Sequence, residues 1–150
     1  MQIRIANRQD EPEIRTFVDT IYQKSGSSLN IEEQDSDLRN MEANYFGREG
    51  LFLVAEHNDK IIAVAGARKK TEKVLEFKRL MVSTDAEGAD EIANEMIDVI
   101  VRFAPRMLFE QIEVSVQNGP GTLRQLLSTK GFTSSSQNDD SLSLAVTPDF

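Results

Sequence analysis

The chain has 150 residues, 17 basic and 25 acidic side chains, and a formal net charge of −8. With 39% hydrophobic and 28% charged residues it reads as one folded domain over 1–150 rather than a disordered segment. The absence of cysteine excludes disulfides, thiolate catalysis and cysteine-based metal sites, and a single histidine, His57, leaves no histidine cluster. Excess acid argues against a nucleic-acid partner, because neutralising phosphates takes excess Lys and Arg. No apolar run approaches the ~20 residues of a membrane span. The start, Met1 to Ala6, has no long apolar signal core, so the expected compartment is the cytoplasm, with no membrane partner.

In chain order, Ile3 and Ile5 alternate with polar residues as a first strand. Asp10-Glu11-Pro12 starts a helix, with Asp10 as its cap, and Ile14, Phe17, Val18, Ile21 and Tyr22 form its apolar stripe. A shorter helix from Asp35 or Asp37 carries Leu38, Met41 and Tyr45 on one side. Leu51 to Ala55 and Ile61 to Ala65 read as strands joined by His57-Asn58-Asp59-Lys60, where Asn and Asp tolerate positive φ.

The next strand, Val74 to Val82, slips phase: Leu75 and Phe77 share one parity, Leu80 and Val82 the other. One extra residue at Lys78-Arg79 is what a β-bulge supplies. Ile92, Met96, Val99, Ile100 and Phe103 mark an amphipathic helix ended by Pro105. Ile112, Val114 and Val116 alternate as a strand, Asn118 to Gly121 turns the chain, and Leu123, Leu126 and Leu127 belong to a helix closed by Gly131. Phe132 starts a short strand, and Leu142, Leu144 and Val146 alternate as the last. The order β-α-α-β-β-β-α-β-α-β-β is mixed α/β.

Over residues 2 to 147 this resembles the GNAT superfamily of acyl-CoA-dependent N-acetyltransferases. Asp37 to Tyr45 running into Leu51–Glu56 looks like the family's second helix and second strand, and Ile61 to Gly66 like its third strand. Glu76-Phe77-Lys78-Arg79-Leu80-Met81-Val82 matches the E-L-K-R-L-x-V form of its fourth, and Leu126 to Phe132 the helix end and Gly-Phe of its second motif region. The resemblance implies a central, mostly antiparallel sheet of about six or seven strands flanked by about four helices. It implies acetyl-CoA as cosubstrate, an amine acceptor and no metal. Met81 and Val82 would hold pantetheine and Gly88, Ala89, Ile92 and Ala93 would belong to the phosphate loop. Asn118 would contact pantetheine, although the Asn-Gly-Pro-Gly turn explains it equally well.

The chain departs from the family in that loop. With Ile92-Ala93 set on the motif's last positions, Gly88 stands where Arg or Gln belongs and Glu91 where the first glycine belongs. From Thr84 to Glu95 there are five acids (Asp85, Glu87, Asp90, Glu91, Glu95) and no basic residue. Such acids stabilise a helix start by complementing its dipole, which supplies the helix with its own anion. Glu76 aligns with the general base of some members, with an ion-paired strand residue as the alternative. Tyr45 falls near the expected substrate cleft, with packing as its alternative. The leaving-group tyrosine four residues before Gly131 is replaced by Leu127. From Lys60 to Arg79 seven basic residues face two acidic ones, which suits an anionic ligand or simply solvated strand edges.

Serine-hydrolase, P-loop and dinucleotide-binding signatures are absent. Two readings remain. One is direct acetyl transfer to an amine with Glu76 as base. The alternative is a catalytically degenerate binding or regulatory module of the same fold.

Overall fold

The computed structural model describes residues 1–47, 50–115, 122–134 and 141–149. β1 (Gln2–Ile5) leads through a 3-10 turn (Arg8–Asp10) to α1 (Glu11–Lys24), then to α2 (Ser36–Arg39) and α3 (Met41–Asn44). β2 (Leu51–His57), β3 (Lys60–Lys69) and β4 (Val74–Val82) precede α4 (Ala89–Arg106) and β5 (Gln111–Ser115). α5 (Leu123–Thr129), β6 (Thr133–Ser134) and β7 (Ser141–Ala145) complete the order. The strands form a seven-stranded sheet, β1-β2-β3-β4-β5-β7-β6, in which β4 and β5 are the one parallel pair among described residues.

Local chemistry accounts for most element ends. Asn58 and Asp59 take φ of 52° and 62° in the β2–β3 hairpin, a conformation short polar side chains tolerate. The helix expected through Tyr45 is broken at Asn40, whose side chain instead caps α3 by accepting the Ala43 N–H at 3.2 Å. Asp10 precedes α1 as expected, but its carboxylate accepts from the Asn7 N–H and from Arg4 rather than capping the helix. Pro105 does not stop α4. It lies in the last turn, where its missing N–H forfeits one bond, and the helix ends at Arg106.

β2 is buried on both faces, which is why Leu51 to Ala55 is a continuous apolar run. Leu51, Leu53 and Ala55 join the cluster under α4 and α5, with Leu75, Phe77, Met96, Ile100, Ile112 and Leu127. Phe52 and Val54 join the second cluster, with Ile14, Val18, Leu38, Met41 and Tyr45 from α1 to α3. Gly66 admits that packing: a Cβ there would stand 2.8 Å from Tyr45 Cε1 and 2.9 Å from Phe52 Cδ2.

The expected bulge is present. Val64 pairs with Met81 and Gly66 with Lys78, so one β3 residue faces two on β4, and Arg79 adopts φ of 64°. A left-handed non-glycine residue costs on the order of 1 kcal/mol or more. Its own side chain holds it there. Nη2 and Nε of Arg79 donate to Asp37 at 2.6 and 3.0 Å, and Nη1 lies 2.9 Å from Asp35 and 2.6 Å from Tyr22 Oη. Tyr22 donates to Asp35 and Tyr45 to Asp37. Asp35 and Asp37 are 1% and 5% exposed, the sole buried acids among the described residues.

Removing one partner of a buried pair strands the other, so Arg79→Ala should lower urea-unfolding stability by about 3–5 kcal/mol. Burial alone would raise the Asp37 carboxyl, but the Arg79 hydrogen bonds and charge prevail and hold it below the ordinary carboxylate value. A depressed folded value means stability present above the unfolded pKa, about 3.9, and lost as pH falls through the lower folded one. Asp37→Asn should therefore flatten the acid limb of stability below about pH 4 relative to the unsubstituted chain, as read by denaturant midpoints at stepped pH.

Candidate functional site

Among the described residues, β4 and β5 pair from Val74↔Gln111 to Phe77↔Val114. Beyond Phe77 the Arg79 bulge turns β4 aside, and a cleft of about 990 Å³ opens between the two strands. Residues 76–82 of β4 form one wall and 113–115 of β5 the other, with Tyr22 and Lys24 at the end of α1 and Leu123 at the head of α5. The described side chains leave this opening free.

The expected cofactor residues separate into two groups. Met81 and Val82 line the cleft. Gly88 and Ala89 sit at the head of α4, with Gly88 at φ of 69°, while the side chains of Ile92 and Ala93 pack into the core. Asn118 falls outside the described residues. Ile92 N–H to the Gly88 carbonyl is the first intrahelical bond of α4, so the amides of Ala89, Asp90 and Glu91 precede the ladder and favour an anion.

That position is contested by the helix's own acid. Glu91 folds back until Oε2 lies 3.3 Å from where a Gly88 Cβ would stand. Asp90 accepts from Thr122 Oγ1 at 2.7 Å, tying α4 to the head of α5. The loop's lack of basic residues is partly made up from elsewhere. Lys24, from the end of α1, donates to Thr84 Oγ1 at 2.9 Å and lies 3.4 Å from Asp85. Pairs this exposed are worth at most about 1 kcal/mol, so both can open to an incoming ligand.

Glu76 lines the cleft and is partly exposed. Arg68 Nε donates to its Oε1 at 3.1 Å and Lys78 Nζ is 3.9 Å from the same oxygen, which leaves Oε2 without a hydrogen-bond partner among the described residues. Arg68 is itself held by Asn44 Oδ1 at 2.6 Å, so α3 orients the strand carboxylate.

Tyr45 does not line the cleft. It is 1% exposed, stacks edge-on to Phe52 at 5.0 Å, and burial followed by the Asp37 carboxylate pushes its hydroxyl well above the ordinary phenol value. It acts on the cleft through Asp37 and Arg79. Leu127 is fully buried, so no proton donor stands at that position. Among the described residues no group of three or more His, Asp or Glu side chains is arranged to hold a metal, and no helix is long and apolar enough to cross a membrane.

The sequence matches no protein-family model and no curated protein. Solved structures do match. A GNAT-family acetyltransferase from Staphylococcus aureus Mu50 superposes with a TM-score of 0.82 at 18% identity, over 96% of this chain and 98% of that one. The chain has the GNAT fold. A ribosomal-protein-alanine N-acetyltransferase from Brucella melitensis gives a TM-score of 0.69 at 15% identity, covering 97% of this chain and 100% of its own. An aminoglycoside 6'-N-acetyltransferase complexed with coenzyme A gives 0.69 at 12% identity over 99% of both chains.

Arg79, Asp35, Tyr22 and Lys24 line the cleft, Asp37 anchors Arg79 behind it, and sequence reasoning missed them as a set. The parity slip at Lys78-Arg79 located the bulge, but nothing local tied it to acids about forty residues earlier.

Proposed function

We propose that this chain transfers an acetyl group from acetyl-CoA to an amine by direct attack within a ternary complex. The observation that carries the reading is the bulged β4 diverging from β5 over an open cleft with the Glu76 carboxylate on its wall. The residues present suit a thioester cosubstrate with a pantetheine arm: among the described residues β4 beyond Phe77 has no β5 partner, and the amides at the head of α4 suit a pyrophosphate once Glu91 rotates away. Bound acetyl-CoA supplies the thioester.

The chain's own groups do the rest. The backbone of Met81 and Val82 holds the pantetheine arm, and the Gly88–Ala89 backbone, backed by Ile92 and Ala93, faces the phosphates. An amine with a lysine-like pKa near 10.4 arrives protonated, and Glu76 Oε2 takes one proton, directly or through water. A backbone N–H of the bulged segment faces the carbonyl oxygen as charge develops there. The C–N bond forms, the C–S bond breaks with its electron pair on sulfur, and the second ammonium proton ends on the thiol or in solvent. A thiol with a pKa around 8.5 leaves without a dedicated acid, which suits the loss of a hydroxyl at Leu127.

Glu91 supports the second reading, a non-catalytic module of the same fold, because a carboxylate 4–6 Å from a phosphate opposes it by roughly 3–4 kcal/mol at an effective dielectric near 20 before solvent screening. Calorimetric titration with acetyl-CoA at low salt decides between them. Micromolar binding by the unsubstituted chain, tightened about tenfold in Glu91→Gln, is expected. Absence of binding in both proteins contradicts the proposal. Given binding, Glu76→Gln should leave acetyl-CoA affinity within about twofold and lower kcat by about 10²–10⁴-fold, measured as thiol release.

A further inference from the structure

Register partners in a sheet share a face. Arg68 stands opposite Glu76, Glu76 opposite Glu113 and Glu113 opposite Ser143, so one polar row crosses β3, β4, β5 and β7. The adjacent row, Leu75, Ile112 and Leu144, points to the opposite face and packs under α4. α1 packs on β3, while Glu76 and Glu113 in the polar row keep about a quarter of their side-chain surface exposed. A half-solvated, ordered polar face therefore forms the floor beside the cleft.

The charges on it are arranged in pairs with one cation to spare. Lys70 Nζ lies 2.6 Å from Glu113 and Arg68 Nε 3.1 Å from Glu76. Lys78 stands 3.9 Å from Glu76, with no other carboxylate within salt-bridge distance among the described residues. All five side chains are 25–50% exposed, within reach of a bound molecule. In a chain of net charge −8 this floor is locally positive.

We propose that the acceptor is a zwitterion, an amine that also carries an anionic group a few bonds away, rather than a polyamine. The inference rests on the acetyl-transfer reading and specifies its substrate class. The reacting nitrogen goes to Glu76, and the remainder of the acceptor lies along the row toward Lys78 and Lys70. An anionic group there takes the spare cation as its partner. A second ammonium meets Lys70, Lys78 and Arg68, whose fields its own charge opposes.

The test is thiol release with acetyl-CoA and four acceptors: L-lysine, 2-aminoethylphosphonate, 1,5-diaminopentane and an aminoglycoside. Lysine or 2-aminoethylphosphonate should exceed 1,5-diaminopentane in kcat/KM by at least roughly tenfold, and comparison of these two shows whether carboxylate or phosphonate is the preferred anion. Lys70→Glu, at an exposed position, should lower that ratio at least about threefold with the KM for acetyl-CoA unchanged. Preference for the diamine or the aminoglycoside overturns the inference while acetyl transfer stands, as does a ratio indifferent to the Lys70 variant. No transfer to any acceptor overturns both.

Discussion

A guanidinium buried between two carboxylates governs the geometry of the cleft. Arg79 stands in the left-handed region within β4, where an ordinary side chain is unfavourable, and its ion pairs to Asp35 and Asp37 keep it there. The backbone cost is on the order of 1–3 kcal/mol, and loss of a buried pair costs about 3–5. The pair therefore outweighs the strain, and the bulge persists. Through the bulge β4 leaves β5, and through Asp35, Asp37, Tyr22 and Tyr45 the same guanidinium binds the first two helices to the cleft wall.

This arrangement separates stability from chemistry across the sheet. One face is apolar from β2 to β7 and buried under α4 and α5, so most of the hydrophobic stabilisation lies there. On the other face, α1 to α3 cover parts of β2 and β3 and reach Met81 of β4, while the Glu76 and Glu113 carboxylates of β4 and β5 stay partly exposed. Glu76 is placed by that division. It shares a strand with Leu75 and Phe77 of the core, yet faces the open side, with Arg68 and Lys78 fixing one oxygen and leaving the other available. At the head of α4, the helix's own acids stand in its first turn and stabilise it through its dipole. The same dipole favours any anion there, and the exposed Lys24–Asp85 pair nearby is worth at most about 1 kcal/mol.

Much of the scaffold was legible because β and α periodicities differ and because a bulge shifts strand parity by one. Ile61 to Ala65 within β3, the hairpin at Asn58-Asp59, and the slip at Lys78-Arg79 all follow from local pattern. The break at Asn40 did not, since an asparagine can sit in a helix or cap one and only the following packing selects. Tyr45 read as a residue near the substrate cleft, with packing as its alternative. Its burial depends on Gly66 and Phe52, and Gly66 has to lack a Cβ for the ring to fit. The polar row of Arg68, Glu76, Glu113 and Ser143 needs strand register, which no single strand's sequence contains.

The most direct measurement of the central claim, that the bulge holds β4 open as the seat of a thioester cosubstrate, is hydrogen–deuterium exchange with and without acetyl-CoA. Protection confined to peptides covering 78–83 and 88–92, with the hairpin at 57–60 unchanged, is the predicted result. Unchanged exchange at 78–83 under saturating acetyl-CoA would contradict the account.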